Sequence, residues 1–230
     1  MNYVIPLTIF IIVVIAFQLF RERKPKQLSE EEKLKIKERQ KKESEKWNLA
    51  LENDPDRITN EDIRSLIPTL GLSKNVLELF DGKCEDDVMK SHFFDKDYAD
   101  PNMVISLLKY QQDAYLVDRY KPIIAYAGAS VFAYDSKLKG YISYDIESHL
   151  EQEEECLTWD GLFVGEVLRW WEHDISEEDI IHIGDYFGLK HTKEILDSII
   201  ATTDGKGFAT GKEITAWENS MIDKINGLIR

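Results

Sequence analysis

The chain has 230 residues, of which 43% are hydrophobic and 11% aromatic, and this composition excludes a wholly disordered chain and allows a domain with a sizeable core. The formal net charge is −14, and basic residues are concentrated near the N-terminus, so that residues 47–230 hold 18 basic and 36 acidic side chains. A body this acidic repels phosphate backbones, and we expect no nucleic-acid binding. It attracts basic partners, and it also favours solubility.

An apolar segment opens the chain. Residues 1–20 carry no charged side chain, and the run from Tyr3 to Phe20 is long enough, at about 1.5 Å per residue, to cross a bilayer core. Arg21 and Arg23 follow the run, nothing basic precedes it and no small-residue cleavage site is visible, so a transmembrane anchor is favoured over a cleaved signal peptide. The positive-inside rule places the N-terminus outside the cell (inner) membrane and the remaining residues in the cytoplasm.

A charged segment follows at residues 21–55. Ser29 and Glu32 form an S-x-x-E capping box, and the residues after it are dense in Glu, Lys, Arg and Gln. Apolar residues are too sparse for a sustained heptad, so we predict a solvated helical spacer that lifts the domain off the bilayer, rather than a coiled coil. The run NDPD at residues 53–56 ends this helix and marks the start of the globular part.

The first globular residues predict short helices. Thr59 caps one helix through Leu66 or Ile67, where Pro68 interrupts it, and Ser73 caps a second that ends at Gly82. Two longer segments follow, an irregular one and a helical one: Cys84 to Pro101 and Met103 to Tyr115.

Three short apolar runs then predict strands. They are Ile123–Ala127, Val131–Asp135 and Gly140–Ile146, joined by short links that contain turn residues. In the third run, Tyr141, Ser143 and Asp145 alternate with Ile142, Tyr144 and Ile146. Consecutive short strands of this kind predict an antiparallel meander.

Helices close the chain. Thr158 or Asp160 caps one that runs through Trp171, and Ser176 begins another towards Phe187. Helices over residues 191–200 and 213–228 flank a glycine-rich turn. The order of elements indicates an α+β fold, in which a small antiparallel sheet packs with helices, preceded by one transmembrane helix and a charged helical spacer.

Residues that carry chemistry are sparse. Cys84 and Cys156 are far apart and lack CxxC spacing, which favours two free thiols; the alternative is one disulfide between them. His191 and Glu194 have i,i+3 spacing, which would allow both to bind one metal ion, but isolated pairs with this spacing are more often ordinary surface residues. The segment DGKGFATGK lacks the first glycine and the Ser/Thr of a phosphate loop. We therefore predict no catalytic, metal or cofactor-binding residue, and no small-molecule substrate.

Protein binding is the function that the surface residues favour. An exposed Trp is a good anchor for a partner, and adjacent helical residues such as Trp170 and Trp171 diverge by about 100°, so one of the two can face solvent while the other is in the core. The alternative is that both pack against the sheet. An acidic loop follows the strands and suits a basic partner, and the alternative is a solvated loop that binds none. The candidate partner-binding residues are Glu151, Glu153, Glu154, Glu155, Asp160 and Trp171.

One stretch of the chain resembles a known family. The run RYKPIIAYAGASVFAYDSKLKGYISYDIE, an acidic loop and then LTWDGLFVGEVLRWW are similar to the core of the SUKH superfamily, the Smi/Knr domain. That family shows an apolar strand, a Gly-containing turn, a strand that ends in Tyr-Asp, a further strand, and a closing helix. Phe163 and Leu168 resemble the Phe and Leu of that helix. The likeness covers roughly residues 58–175.

The resemblance implies a binding protein and not an enzyme. Bacterial members look like immunity proteins that bind and block toxins, many of them nucleases, and other members are regulatory scaffolds. We therefore expect an immunity protein that neutralises a toxin by direct binding at the membrane, with a scaffold or regulator of envelope processes as the alternative. The domains are then an anchor (residues 1–20), a spacer (21–55), a SUKH-like domain (56–200) and a C-terminal loop and helix extension (201–230).

Overall fold

The structure, a computed structural model, describes residues 29–93, 104–126, 130–146 and 156–229. The chain divides into two compact units, Met1–Ala50 and Leu51–Arg230. The helices are α1 (Glu30–Glu52), α2 (Asn60–Leu66), α3 (Lys74–Phe80), α4 (Asp87–Phe93), α5 (Lys109–Ala114), α6 (Trp159–Leu162), α7 (Val164–Glu172), α8 (Glu177–Phe187), α9 (Thr192–Thr203) and α10 (Gly211–Ile229). The strands are β1 (Tyr120–Tyr126), β2 (Ser130–Asp135) and β3 (Gly140–Asp145).

The predicted transmembrane segment, residues 1–20, lies outside the described residues. Among the helices that the structure does describe, none is long and apolar enough to cross a membrane.

The predicted spacer is the helix α1. Its capping box is formed, since Glu32 N–H donates to Ser29 Oγ at 3.2 Å and Ser29 N–H donates to Glu32 Oε2 at 2.8 Å. No residue of α1 is buried, and ion pairs one turn apart run along its surface, among them Glu31 with Lys35 at 2.6 Å. Such a polar helix is stabilised by i,i+3 and i,i+4 pairs instead of by packing.

Side-chain caps begin three of the predicted helices. Thr59 forms a capping box with Asp62 at the start of α2, Ser73 Oγ accepts from Asn75 N–H before α3, and Ser176 Oγ accepts from Asp179 N–H at 3.1 Å before α8. These three starts are confirmed where the sequence placed them.

The three strands form one antiparallel sheet in the order β1-β2-β3, which confirms the predicted meander. β2 and β3 pair in unbroken register, whereas the register of β1 on β2 shifts between Pro122 and Ile124. An extra residue in one strand interrupts the alternation of side chains. Ile123 and Ile124 therefore both belong to the larger hydrophobic cluster.

Both faces of the sheet are buried. Phe132 of β2 and Tyr141 of β3 belong to the larger cluster, on the face that the later helices cover. Val131, Ile142 and Tyr144 belong to a smaller cluster on the other face. The alternation predicted for β3 is thus correct. The second face is covered by residues that precede β1 and by its first residue: Val104, Val117 and Tyr120.

The aromatic core joins the sheet to the later helices. The ring centre of Phe163 lies 5.2 Å from that of Phe132, 5.0 Å from that of Trp159 and 4.9 Å from that of Phe187. Trp170 stacks on Phe187 with a centroid separation of 6.3 Å. Trp159 Nε1–H donates to the carbonyl oxygen of Phe187 at 3.0 Å, which satisfies its polar atom inside the core.

The C-terminal helix α10 shares this core. Trp217, Met221 and Ile225 are buried in the larger cluster. Asn226 Oδ1 accepts hydrogen bonds from both the backbone N–H and the hydroxyl of Thr158, at 3.0 and 2.9 Å. Residues in the last helix therefore complete the same core as the sheet.

One predicted irregular segment contains a helix. The stretch Cys84–Pro101 holds α4, which begins where Asp86 Oδ1 accepts from Met89 N–H at 2.9 Å, and the end of the stretch lies outside the described residues. Met89 and Phe93 are buried on the inner side of α4. An acidic sequence that reads as a loop is thus a short helix, because Asp86 caps it and two apolar side chains anchor it.

A second prediction was too long. The segment Met103–Tyr115 is helical only over α5 in its described part. Val104 and Ile105 are fully buried in a turn before that helix, and Gln112 Nε2–H donates to the carbonyl oxygens of Ile105 and Ile58, both at 2.9 Å. The spacing of the apolar residues in this segment arises because a buried turn contacts the core, and not because the segment is one continuous helix.

The helix predicted to run through Trp171 is divided at Phe163. Of the two proposed caps, Thr158 is the one used, and its Oγ1 accepts from Gly161 N–H at 3.0 Å. Phe163, with φ −93° and ψ 1°, ends α6 and precedes α7. The break places its fully buried ring between the sheet and the helices.

Asp135 holds the turn between β2 and β3. Its carboxylate is fully buried, accepts from Arg119 Nε and Nη2 at 3.1 and 2.9 Å, and accepts from the backbone N–H groups of Lys137 and Leu138 at 2.7 and 3.1 Å. Burial acts to raise the pKa of Asp135, but the hydrogen bonds from Arg119 and the two amides outweigh it and hold the pKa below its usual range.

Replacing Asp135 by Asn should lower the free energy of unfolding by about 3 kcal/mol at neutral pH, because Arg119 keeps its charge and loses a buried partner. Since the folded pKa is depressed, this stability is present above the unfolded pKa of about 3.9 and is lost as the pH falls through the folded value. Urea unfolding of both chains across that pH range measures the difference. The exposed Asp185→Asn is the control, and equal stabilities of D135N and wild type at neutral pH would contradict the prediction.

Replacing Gly184 by Ala should lower the free energy of unfolding by about 2 kcal/mol, since α8 and α9 approach closely here. An added Cβ would clash with Thr192 Oγ1 and would lie 2.7 Å from Thr192 Cβ. Gly211→Ala is the matched control, because nothing lies within 4 Å of its Cβ position. Thermal unfolding of both variants measures the effect, and a G184A variant as stable as G211A would show that the two helices separate at little cost.

Candidate functional site

The predicted partner-binding residues fall into three groups by their place in the structure. The acidic loop residues Glu151, Glu153, Glu154 and Glu155 lie outside the described residues, so their prediction stays a prediction. Asp160 is inside the fold, whereas Trp171 reaches the surface. The two described residues are therefore not parts of one surface.

Asp160 is not the surface residue that the sequence indicated. Only 4% of it is exposed, and its Oδ1 accepts hydrogen bonds from the backbone N–H groups of Lys190 and His191, at 2.5 and 2.8 Å. These amides immediately precede α9, where backbone donors lack a helical partner. Asp160 thus links α6 to the start of α9 and is unavailable to a partner. Its place next to the helix cap Thr158 in the sequence is the signal for this internal role.

The two adjacent tryptophans separate as helical geometry allows. Trp170 is 2% exposed and lies in the aromatic core. Trp171, at about 100° from it around α7, is only partly buried and packs against the edge of the same cluster. One face of Trp171 is therefore held by the core, and the remainder of the side chain faces an open groove.

This groove, which we call the Trp171 groove, has a volume of about 620 Å³ and lies between two turns. One wall is the α7–α8 turn, in which Asp174 has φ +58°. The other wall is the α9–α10 loop, in which Gly205 and Gly207 have φ +71° and +87°. The residues that line it are Trp171, Glu172, Asp174, Ile175, Ser176 and Glu177 from the first wall and Gly205, Lys206 and Gly207 from the second.

The charges of the Trp171 groove are mostly negative. Glu172, Asp174 and Glu177 are exposed, and Lys206 is the one basic residue of the described lining. On α10, burial raises the pKa of Glu218, and the Glu172 carboxylate raises it further against the opposing effect of Arg169. Glu172 thus contributes a negative potential that a second carboxyl group senses. Helical spacing predicted the partial exposure of Trp171, but the long separation between residues 171–177 and 205–207 concealed the other wall.

Two histidines, His92 and His182, lie within hydrogen-bond distance of carboxylates inside the fold. His92 Nε2 lies 3.0 Å from Asp179 Oδ2, and His182 Nε2 lies 2.7 Å from Asp86 Oδ2, so that two crossed pairs join α4 to α8. The hydrogen bond from His92 lowers the pKa of Asp179, which keeps that carboxyl group ionised. Within the part of the chain that the structure describes, no three His, Cys, Asp or Glu side chains are arranged to hold a metal ion.

The pair considered as metal ligands, His191 and Glu194, is also internal. His191 Nδ1 lies 2.9 Å from Glu194 Oε2, and Lys224 Nζ of α10 lies 2.6 Å from Glu194 Oε1. The lysine and the histidine together lower the pKa of Glu194. The three side chains therefore join the start of α9 to the last helix, and the Lys224 ammonium is paired with the Glu194 carboxylate.

The two cysteines are free thiols in this structure. Burial raises the pKa of Cys156 to about 11, and the Asp135 carboxylate adds to the effect, so Cys156 is protonated at neutral pH. Cys84 Sγ accepts a hydrogen bond from the Tyr186 hydroxyl at 3.4 Å. A protonated thiol is a poor nucleophile, and the Cys156 site therefore does not favour thiolate chemistry.

Comparison of the chain with protein-family models, with curated proteins and with solved structures finds no match.

Replacing Asp160 by Ala should lower the free energy of unfolding by about 2 kcal/mol, because two partly buried backbone amides lose a charged acceptor. Amide hydrogen exchange at Lys190 and His191 should accelerate with it, since these are the groups left without a partner. Asp185→Ala, at an exposed position of α8, is the matched control. Unchanged exchange at both amides in D160A would show that Asp160 does not anchor the start of α9.

Proposed function

We propose that this chain is a membrane-anchored binding protein whose acidic domain captures a basic protein partner, and that it acts as a SUKH-like immunity protein that neutralises a toxin by direct binding. The observation that carries the proposal is the Trp171 groove. It combines a partly buried aromatic side chain with exposed carboxylates at Glu172, Asp174 and Glu177. Aromatic anchors surrounded by polar residues are typical of protein interfaces.

The net charge supports a basic partner. Residues 47–230 hold twice as many acidic as basic side chains. A toxin that cleaves nucleic acid must itself attract phosphate, so its surface is basic in the region that this acidic domain would meet. Opposite charges speed the encounter of two proteins and favour the correct partner over acidic competitors.

The order of elements supports the family resemblance. A three-stranded antiparallel meander precedes a closing helix, as the resemblance implies, and Phe163 and Leu168 are both buried. Asp135, which ends the second strand after Tyr134, has an internal structural role through Arg119. The residues that carry the family resemblance therefore stabilise the fold. Binding of a partner would then depend on other residues, at the surface.

The N-terminal segment supports a tether. Residues 1–20 have the length and composition of a transmembrane helix, and the polar helix α1 follows. An anchored binder is confined to a thin layer at the membrane, which raises its effective concentration towards a toxin that arrives there.

The test is partner capture by the full chain, solubilised from membranes in mild detergent, at low and at moderate salt. We expect a basic protein to be retained at low salt and partly released at moderate salt, because screening weakens exposed charge pairs. Mass spectrometry identifies it. Co-expression with the captured protein should then restore growth that the captured protein alone abolishes.

Two outcomes would contradict this function. Retention of envelope proteins without any effect on growth would favour the scaffold or regulator instead. If the full chain retains no basic protein at low salt, the acidic surface serves solubility alone and capture of a basic partner is wrong. A similarly acidic, unrelated membrane protein, purified in the same way, controls for non-specific retention.

A further inference from the structure

We propose that the Trp171 groove is the docking site for an extended segment of the partner that carries arginine side chains. This inference rests on the proposed function, because it assigns a place and a chemistry to the basic partner. The occupant is a peptide segment within a protein, and it binds by its cationic side chains and its extended backbone.

The shape of the groove favours an extended segment. A small-molecule pocket encloses most of its ligand, whereas this groove lies open between two turns. Its second wall, the α9–α10 loop, is held at both ends, because α9 and α10 bury apolar side chains in the larger cluster. Turns between packed helices keep their position, so less ordering entropy is lost on binding than with a mobile site.

Trp171 favours a guanidinium group. A cation placed within about 6 Å of an indole ring is attracted by the negative face of the ring, and Trp is the most effective of the aromatic side chains. The ring of Trp171 is held on one side by the hydrophobic core, which fixes it before the partner arrives. Arginine also stacks its planar group on such a ring, which lysine cannot do. The groove should therefore prefer arginine to lysine.

The surrounding charges favour a cation and oppose an anion. Three carboxylates, those of Glu172, Asp174 and Glu177, line the groove against a single amine, that of Lys206. They are not equivalent. Glu177 is in the first turn of α8, where the helix dipole offsets part of its charge, so Glu172 and Asp174 contribute more to the negative potential. Ser176 Oγ already accepts from Asp179 N–H at that helix start.

Lys206 makes the proposal testable in both directions. Its amine is the basic group nearest to an incoming arginine among the described lining residues, and it opposes binding. Removing the carboxylates should weaken the binding of a cationic peptide, and reversing the charge of Lys206 should strengthen it. A damaged fold explains only a loss of affinity, so the gain distinguishes a specific site from a general effect of misfolding.

The experiment uses the full chain in mild detergent and measures the fluorescence anisotropy of labelled oligo-arginine and oligo-lysine peptides of equal length. We expect E172Q/D174N/E177Q to weaken binding of oligo-arginine about tenfold and K206E to strengthen it about threefold. Trp171→Leu should reduce the preference for oligo-arginine over oligo-lysine. The matched control E61Q/D185N/D223N removes the same charge at exposed positions outside the groove, and its affinity should stay within about twofold of wild type.

Other results would overturn the site. Equal losses in the groove variant and in the control variant would show that the peptide responds to net charge alone. The absence of any peptide binding by the wild-type chain would equally exclude an arginine-binding groove. Partner capture separates this failure from failure of the proposed function. If the wild-type chain and the groove variant retain the same amount of a basic protein, only the groove is excluded as the binding site. If the wild-type chain retains no basic protein, the proposed function itself is wrong.

Discussion

Both faces of the three-stranded sheet are apolar, so neither face can be left to water. The segment that leads into β1 covers one face with Val104 and Val117. The later helices cover the other face, which Phe163 contacts. A sheet of three strands is too small to be stable alone and depends on these layers. The bulge near Ile123 adjusts the strand to this arrangement, because it turns two consecutive isoleucines towards the larger cluster.

The position of the groove follows from the same packing. Trp170 fills the aromatic core, and the helical geometry of α7 then carries Trp171 to the surface. The α9–α10 loop is held opposite, because α9 and α10 both bury apolar side chains in that core. Binding residues on turns between well-packed helices combine a fixed position with exposure, which is a common arrangement for functional sites.

Local signals in the sequence predicted much of the fold, and non-local contacts explain the errors. The caps Thr59, Ser73 and Ser176 and the alternation in β3 are each encoded within a few residues, so they were recognisable. The capping role of Asp86 was concealed in an acidic run. The burial of Val104 and Ile105 depends on distant partners, and it made a turn resemble a helix.

The candidate site shows the same limit. The partial exposure of Trp171 was predictable from its neighbour and its helical spacing. Asp160 was misassigned because its partners, the amides of Lys190 and His191, are thirty and thirty-one residues away. The second wall of the groove is likewise distant in sequence. Spacing rules describe one element at a time, and a groove between two turns is defined only once both have been placed.

The composition of α1 has an electrostatic consequence for the chain. Its 23 residues carry seven acidic and seven basic side chains, so the helix is neutral along a length of about 35 Å. That length is several times the screening distance of about 8 Å in physiological salt. A charge at one end of α1 is therefore not sensed at the other. With the anchor proposed here, the arginines and lysines of residues 21–26 can attract anionic lipid headgroups, and α1 adds no net charge to the chain between them and the acidic residues that follow Glu52.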